Sequence, residues 1–140
     1  MRSSLRNTLR DRTLAVYLTA GDPCIDNEVI DLLLKCGVSV FEFGIPTAKP
    51  KYDGPVIRKS YERALRENKT LEETFSIIGD FRVKHKVIFT YFEDAKRIGL
   101  ERFMELVFHS GAEAVLFPDL LIDYLEDLDI YMKLCKLFPL

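Results

Sequence analysis

Ser39-Val40-Phe41-Glu42-Phe43-Gly44-Ile45-Pro46 is the stretch on which the rest of the chain turns. From Ser39 to Ile45 it has the length of a strand and is apolar at nearly every position. That pattern suits a parallel strand covered on both faces, since a half-exposed strand alternates apolar with polar residues. Glu42 breaks the pattern, set between Phe41 and Phe43 near the carboxyl end of the run. This is the end at which α/β folds gather their active sites. Burying an ionised carboxylate among such neighbours is costly, so its pKa is expected to rise toward neutrality, as a general acid requires. A structural Glu held by a Lys or Arg, or a wet strand end, accounts for the same pattern.

Working outward, apolar runs of strand length alternate with amphipathic stretches of helix length, the rhythm of β/α units. Upstream lies Leu14 to Thr19, then the turn-rich Ala20-Gly21-Asp22-Pro23 and a helical pattern of Ile25, Val29 and Leu33 that Gly37 stops. Downstream, Pro46, Pro50 and Asp53-Gly54-Pro55 form a loop before a helix with Ile57, Tyr61, Ala64 and Leu65 on one stripe. Thr70 and Glu73 have capping-box spacing ahead of a helix with Phe75 and Ile78 on one face. A third run covers Lys86 to Phe92, and Leu100, Phe103, Met104, Val107 and Phe108 then mark a helix ending at Gly111. The fourth run is Ala114 to Leu120. Acidic residues from Asp123 to Asp129 lead into a helix with Ile130, Tyr131 and Leu134, and Phe138-Pro139-Leu140 falls where a fifth strand is expected. Strands returning through helices predict a parallel sheet in one α/β domain over residues 1–140.

Composition narrows the function classes. The 20 basic and 22 acidic residues leave a net charge of -2 and no basic cluster, which argues against nucleic acid or an anionic membrane. MRSSLRNTLRDR lacks a signal-peptide core and no segment is long and apolar enough to span a bilayer, so a cytoplasmic protein is expected. Cys24, Cys36 and Cys135 form no CxxC pair and read as reduced, packed thiols; no metal site is expected. His85 and His109 flank elements and read as solvated structural residues, and Gly21-Asp22 reads as a turn because no phosphate-loop motif accompanies it. Asp53 alone reads as turn chemistry. Paired with Glu42 at the mouth of one strand-loop unit, it offers two carboxylates that can divide acid and anion roles if their environments differ.

YLTAGDP at Tyr17 to Pro23, FEFGIP at Phe41 to Pro46 and YDGPVI at Tyr52 to Ile57 resemble, in order and separation, the tryptophan synthase alpha family. VIFTYFED and AVLFPDL resemble that family's third and fourth strands. The resemblance implies a (β/α)8 TIM barrel of which this chain holds about the first four β/α units, the amino-terminal half. It implies a lyase of tryptophan biosynthesis that cleaves indole-3-glycerol phosphate to indole and glyceraldehyde 3-phosphate by retro-aldol chemistry, with no cofactor of its own. Glu42 matches the family's catalytic glutamate, which protonates the indole ring carbon. Asp53 matches the aspartate that accepts the indole N–H. Tyr17, Ile57, Phe89, Tyr91, Leu116 and Pro118 match positions lining the indole pocket. Pro46, Lys49, Glu93 and Asp119 match the face meeting the beta subunit, the partner that receives indole and carries pyridoxal phosphate.

The chain departs from the family in three respects. Thr47-Ala48-Lys49 stands where most members have Phe-Ser-Asp, which exchanges a carboxylate for a cation. Leu121 replaces a proline usual after the fourth strand, and Pro118 a residue that is commonly small. A full barrel needs roughly 250 residues, and the family's phosphate-holding loops fall in the half beyond this sequence. A catalytically silent barrel fragment that binds or regulates the beta subunit therefore stands as the alternative to a working lyase subunit.

Overall fold

Four strands make one sheet in the order β1-β2-β3-β4, every pair parallel: β1 Leu14–Thr19, β2 Val38–Gly44, β3 His85–Phe89 and β4 Ala114–Leu116. The computed structural model describes residues 4–138, so the expectations for Met1 to Ser3, Pro139 and Leu140 lie outside the described residues. Sequential order without reversal separates this sheet from doubly wound folds, in which the strand order turns back at a switch point. It is the order of consecutive barrel strands.

Helices follow each strand: α2 Asn27–Lys35 after β1, α3 Pro55–Arg66 and α4 Leu71–Asp80 after β2, and α5 Phe92–Ile98 and α6 Leu100–His109 after β3. After β4 come α7 Leu120–Asp123, a 3-10 turn at Leu125–Asp127 and α8 Leu128–Leu137, while a short α1, Leu5–Thr8, precedes β1. Local chemistry sets their ends. Asp26 accepts the Val29 N–H at 2.9 Å to open α2, and Gly37 closes it at φ +88°, a conformation that disfavours side chains. Thr70 and Glu73 form the reciprocal capping box expected at α4.

Register separates the two faces of the sheet. Phe41, Phe43 and Ile88, all fully buried, pack beneath the helices with Ile78, Phe92, Phe103 and Val107. Each such apolar side chain contributes roughly 1.5–3 kcal/mol by leaving water. On the opposite face, Tyr17, Glu42, Val87 and Ala114 stand in one row across the strands, with Thr19, Gly44, Phe89 and Leu116 in the next. Glu42 thus faces away from the phenylalanines that flank it in sequence.

Several expectations need correction. The third and fourth strands end earlier than their apolar runs, at Phe89 and Leu116. Asp119 explains the first: its carboxylate accepts the N–H groups of Phe92 at 2.6 Å and Glu93 at 3.1 Å, so α5 begins where the apolar run alone suggests more strand. Gly99, at φ +103°, divides α5 from α6. His85 is not solvated; it is 1% exposed at the start of β3, with Nε2 2.8 Å from the Thr8 hydroxyl and Nδ1 2.7 Å from Glu113. Glu113 also accepts the Leu5 N–H at 3.1 Å, which pins α1 to the amino-terminal ends of β3 and β4. Lys86, buried on the helix-covered face, donates from Nζ to Gly79 O at 3.1 Å and Ser110 O at 3.2 Å, satisfying carbonyls at the ends of α4 and α6.

Candidate active site

Glu42 lies near the carboxyl end of β2, half-buried, and no described residue pairs with its carboxylate. Loss of water without a compensating cation holds its pKa above the ordinary carboxylate value. Among the described residues no Lys or Arg holds the carboxylate, the alternative that the sequence pattern left open. Desolvation shifts its equilibrium toward the protonated carboxyl.

Asp53 sits in the loop between β2 and α3, and its surroundings differ. Its Oδ2 accepts the Tyr91 hydroxyl at 2.7 Å, while Arg58 Nε donates to its backbone carbonyl at 2.8 Å. The Tyr91 oxygen in turn accepts the Tyr52 N–H at 2.9 Å. That phenol is therefore fixed from both sides, and burial followed by the hydrogen bond to Asp53 raises its pKa. Oδ1 of Asp53 has no partner among the described residues. One oxygen is anchored and the other is free to accept a hydrogen from a ligand.

An aromatic row lines the same mouth. Tyr17 meets Phe89 edge-on at 5.6 Å between ring centroids, and Phe89 meets Tyr91 at 6.3 Å and 81°. Tyr17 donates to the Tyr61 hydroxyl at 2.8 Å. Its own pKa is pushed up to about 12, chiefly by burial; hydrogen bonds to Tyr61 and Thr19 oppose the shift, and the charges of Asp53 and Glu42 add to it. Both carboxylates thus act electrostatically on one phenol. Gly44 makes room for that phenol, because a Cβ there would fall on the Tyr17 hydroxyl.

Of the remaining expected lining residues, Ile57 on α3 and Pro118 after β4 are half-buried, and Leu116 is 45% exposed on the open face. Tyr91 is only 2% exposed, so it backs Asp53 more than it presents a surface. Among the expected partner-facing residues, Pro46, Lys49 and Glu93 keep exposed or half-exposed positions, and Lys49 and Glu93 share a cleft with Thr47, Ala48, Asp94 and Arg97. Asp119 does not join them. Its side chain is 0% exposed and committed to capping α5, so the partner-facing expectation is corrected for that residue.

Several site residues escaped sequence reasoning. Tyr61 looked like core stripe, yet it carries the hydroxyl that satisfies Tyr17. Asp22 looked like a free turn residue, yet Arg63 on α3 binds it with contacts of 2.7 to 3.2 Å. Burial opposes ionisation of Asp22, but hydrogen bonds from Arg63 and the Cys24 N–H outweigh it and leave the pKa lowered. No sequence signal joins residues 41 positions apart in this way.

Comparison with known proteins gives a consistent result. The profile of the family described as "Tryptophan synthase alpha chain" matches residues 5–136. Among similar proteins, the tryptophan synthase alpha chain of Trichodesmium erythraeum is 31% identical over 138 residues, covering 95% of this chain and 51% of its own length. That of Sulfurisphaera tokodaii is 34% identical over 130 residues, covering 89% and 51%. The chain spans about half the length of these curated relatives. A solved mutant tryptophan synthase alpha-subunit from Pyrococcus furiosus superposes with a TM-score of 0.75 at 30% identity, covering 89% of this chain and 51% of that one.

Proposed function

This chain belongs to the tryptophan synthase alpha chain family, whose barrel supplies its first four β/α units, and we propose that it carries the catalytic half of a carbon-carbon lyase acting on indole-3-glycerol phosphate. The observation that supports this reading is the contrast between two carboxylates at one sheet mouth. Glu42 is desolvated and unpaired, which favours the protonated acid; Asp53 is an anchored acceptor with one free oxygen. Two carboxyl groups in unlike settings are what a division into acid and anion needs.

In this mechanism Glu42 delivers its proton to the indole ring carbon that bears the glycerol chain. That carbon becomes tetrahedral and positive charge develops at the ring nitrogen. Asp53 accepts the N–H, and the charge-assisted bond strengthens as the charge grows. The carbon-carbon bond then breaks, its electron pair returns to the ring, and the carbinol gives its hydroxyl proton to the Glu42 carboxylate left by the first step, becoming the aldehyde of glyceraldehyde 3-phosphate and restoring the acid. Tyr17, Phe89 and Ile57 pack against the flat ring, with Leu116 and Pro118 closing the β4 side. The chain needs no cofactor for these steps. Indole passes to a beta subunit that carries pyridoxal phosphate, and Pro46, Lys49 and Glu93 belong to the facing surface.

The test is indole release from indole-3-glycerol phosphate by wild type and Glu42→Gln, each with and without beta subunit. A loss of at least about 100-fold in Glu42→Gln is expected for removal of the proton donor. Equal rates in the two proteins would sink the assignment of Glu42. Binding of beta subunit without any lyase activity would instead favour a silent partner-binding role.

A further inference from the structure

The loop bearing Asp53 is tied to the two β/α units beyond its own. Lys51 Nζ lies 3.3 Å from Glu93 Oε2 and 3.5 Å from Asp123 Oδ2. The Tyr52 hydroxyl donates to the same Asp123 oxygen at 2.8 Å, and its ring stacks on Tyr91 at 6.3 Å and 27°. The Tyr52 N–H donates to the Tyr91 hydroxyl, which donates to Asp53. Tyr91 is also the cap residue of α5, whose first N–H groups are held by Asp119, and Asp119 is the cap residue of α7, which ends at Asp123. The contacts close a circuit: Tyr52, Tyr91, α5, Asp119, α7, Asp123 and back to Tyr52.

The geometry points to Lys51 and Tyr52 as a strap of positioning residues that, through Tyr91 and Asp123, holds Asp53 in one orientation with Oδ1 toward the substrate. This rests on the reading of Asp53 as the acceptor of the indole N–H. The physical argument is one of over-determination. A carboxylate on a loop loses rotamer freedom when it binds, and a site that has already restricted that freedom keeps more of the interaction energy for the reaction. The Tyr91 hydrogen bond fixes Oδ2. The strap fixes Tyr91 and the backbone beside Asp53, because its two side chains end on elements that Asp119 holds together. Supporting this, Tyr52 and Lys51 both have raised pKa values, led by the hydrogen bond to Asp123 in the first and to Glu93 in the second. Both side chains lie at the surface, so removing their polar ends leaves the core intact.

Tyr52→Phe, Lys51→Met and Tyr91→Phe are compared with wild type by NMR, reading the exchange rate of the Tyr52 amide and the α–β proton couplings of Asp53. Wild type is expected to show a protected amide and couplings of a single rotamer. Tyr52→Phe and Lys51→Met should speed exchange by about tenfold, equivalent to ~1.4 kcal/mol, and average the couplings, with Tyr91→Phe doing so most. The same samples are assayed for indole release, where a fall in kcat of about 5- to 10-fold with KM within about twofold is expected of a change in orientation alone. Wild-type exchange and couplings in Tyr52→Phe and Lys51→Met would overturn the strap, as would averaged couplings with kcat unchanged. Absence of indole release from every sample, wild type included, would remove the lyase reading, and the couplings would then decide by themselves whether the strap holds Asp53.

Discussion

A methyl group at position 44 would occupy the space of the Tyr17 phenol, so Gly44 belongs to the site through what it leaves empty. Gly44→Ala should cost about 1–3 kcal/mol, the range for overpacking, and the cost should shrink when Tyr17 is truncated to Ala in the same protein. Additive losses in a denaturation cycle over both positions would show that the two residues do not compete for one space. Glu42 carries a second expectation, of defined sign. Its pKa is raised in the folded chain by burial, so the folded state holds the proton more tightly than the unfolded one. The resulting stability is complete at acid pH, below the unfolded value, and is lost as pH rises through the folded value. Glu42→Gln should therefore melt above wild type near neutrality and lose that advantage at about pH 4. An equal advantage at both pH values in calorimetry would contradict desolvation as the cause.

Lys86 shows how elements are joined by a residue that an apolar run hides. Its ammonium group satisfies carbonyls at the ends of both α4 and α6, and Lys86→Met should destabilise the chain by about 2–3 kcal/mol because those acceptors become buried and unpaired. A change under about 0.5 kcal/mol in urea denaturation would mean that water replaces the amine. Such links decide how much was legible in sequence. The strands, the capping box at Thr70 and the charge of Glu42 inside an apolar run are local signals, and they located the sheet and one residue of the candidate site. What escaped has partners far along the chain: Tyr91 with Asp53, His85 with Glu113, Arg63 with Asp22, and Asp119 starting α5 from 27 residues away. Thr90-Tyr91-Phe92 is apolar enough to pass for strand. Only the distant carboxylate turns it into a helix start.

At the scale of the 140-residue chain by itself, the open face and the two outer strands are available to other chains. Leu14 on β1 and Leu116 on β4 are half-exposed, and Leu121, Ile122 and Leu125 add apolar surface beside β4. Outer strands of a parallel sheet with such surface invite pairing with other chains. Sedimentation of the purified 140-residue chain should show mass rising with concentration, and Leu116→Lys should suppress the rise. A concentration-independent monomer in both would remove the outer strands as the source. Sequential strand order has a consequence for how the molecule is made. Each strand pairs with the one synthesised just before it, so the sheet can assemble unit by unit as the chain leaves the ribosome. The tie from Leu5 to Glu113 spans 108 residues and runs against that order. The amino-terminal helix can meet His85 once the third strand begins, but its Leu5 tie cannot close until Glu113, at the threshold of the fourth strand, has been made.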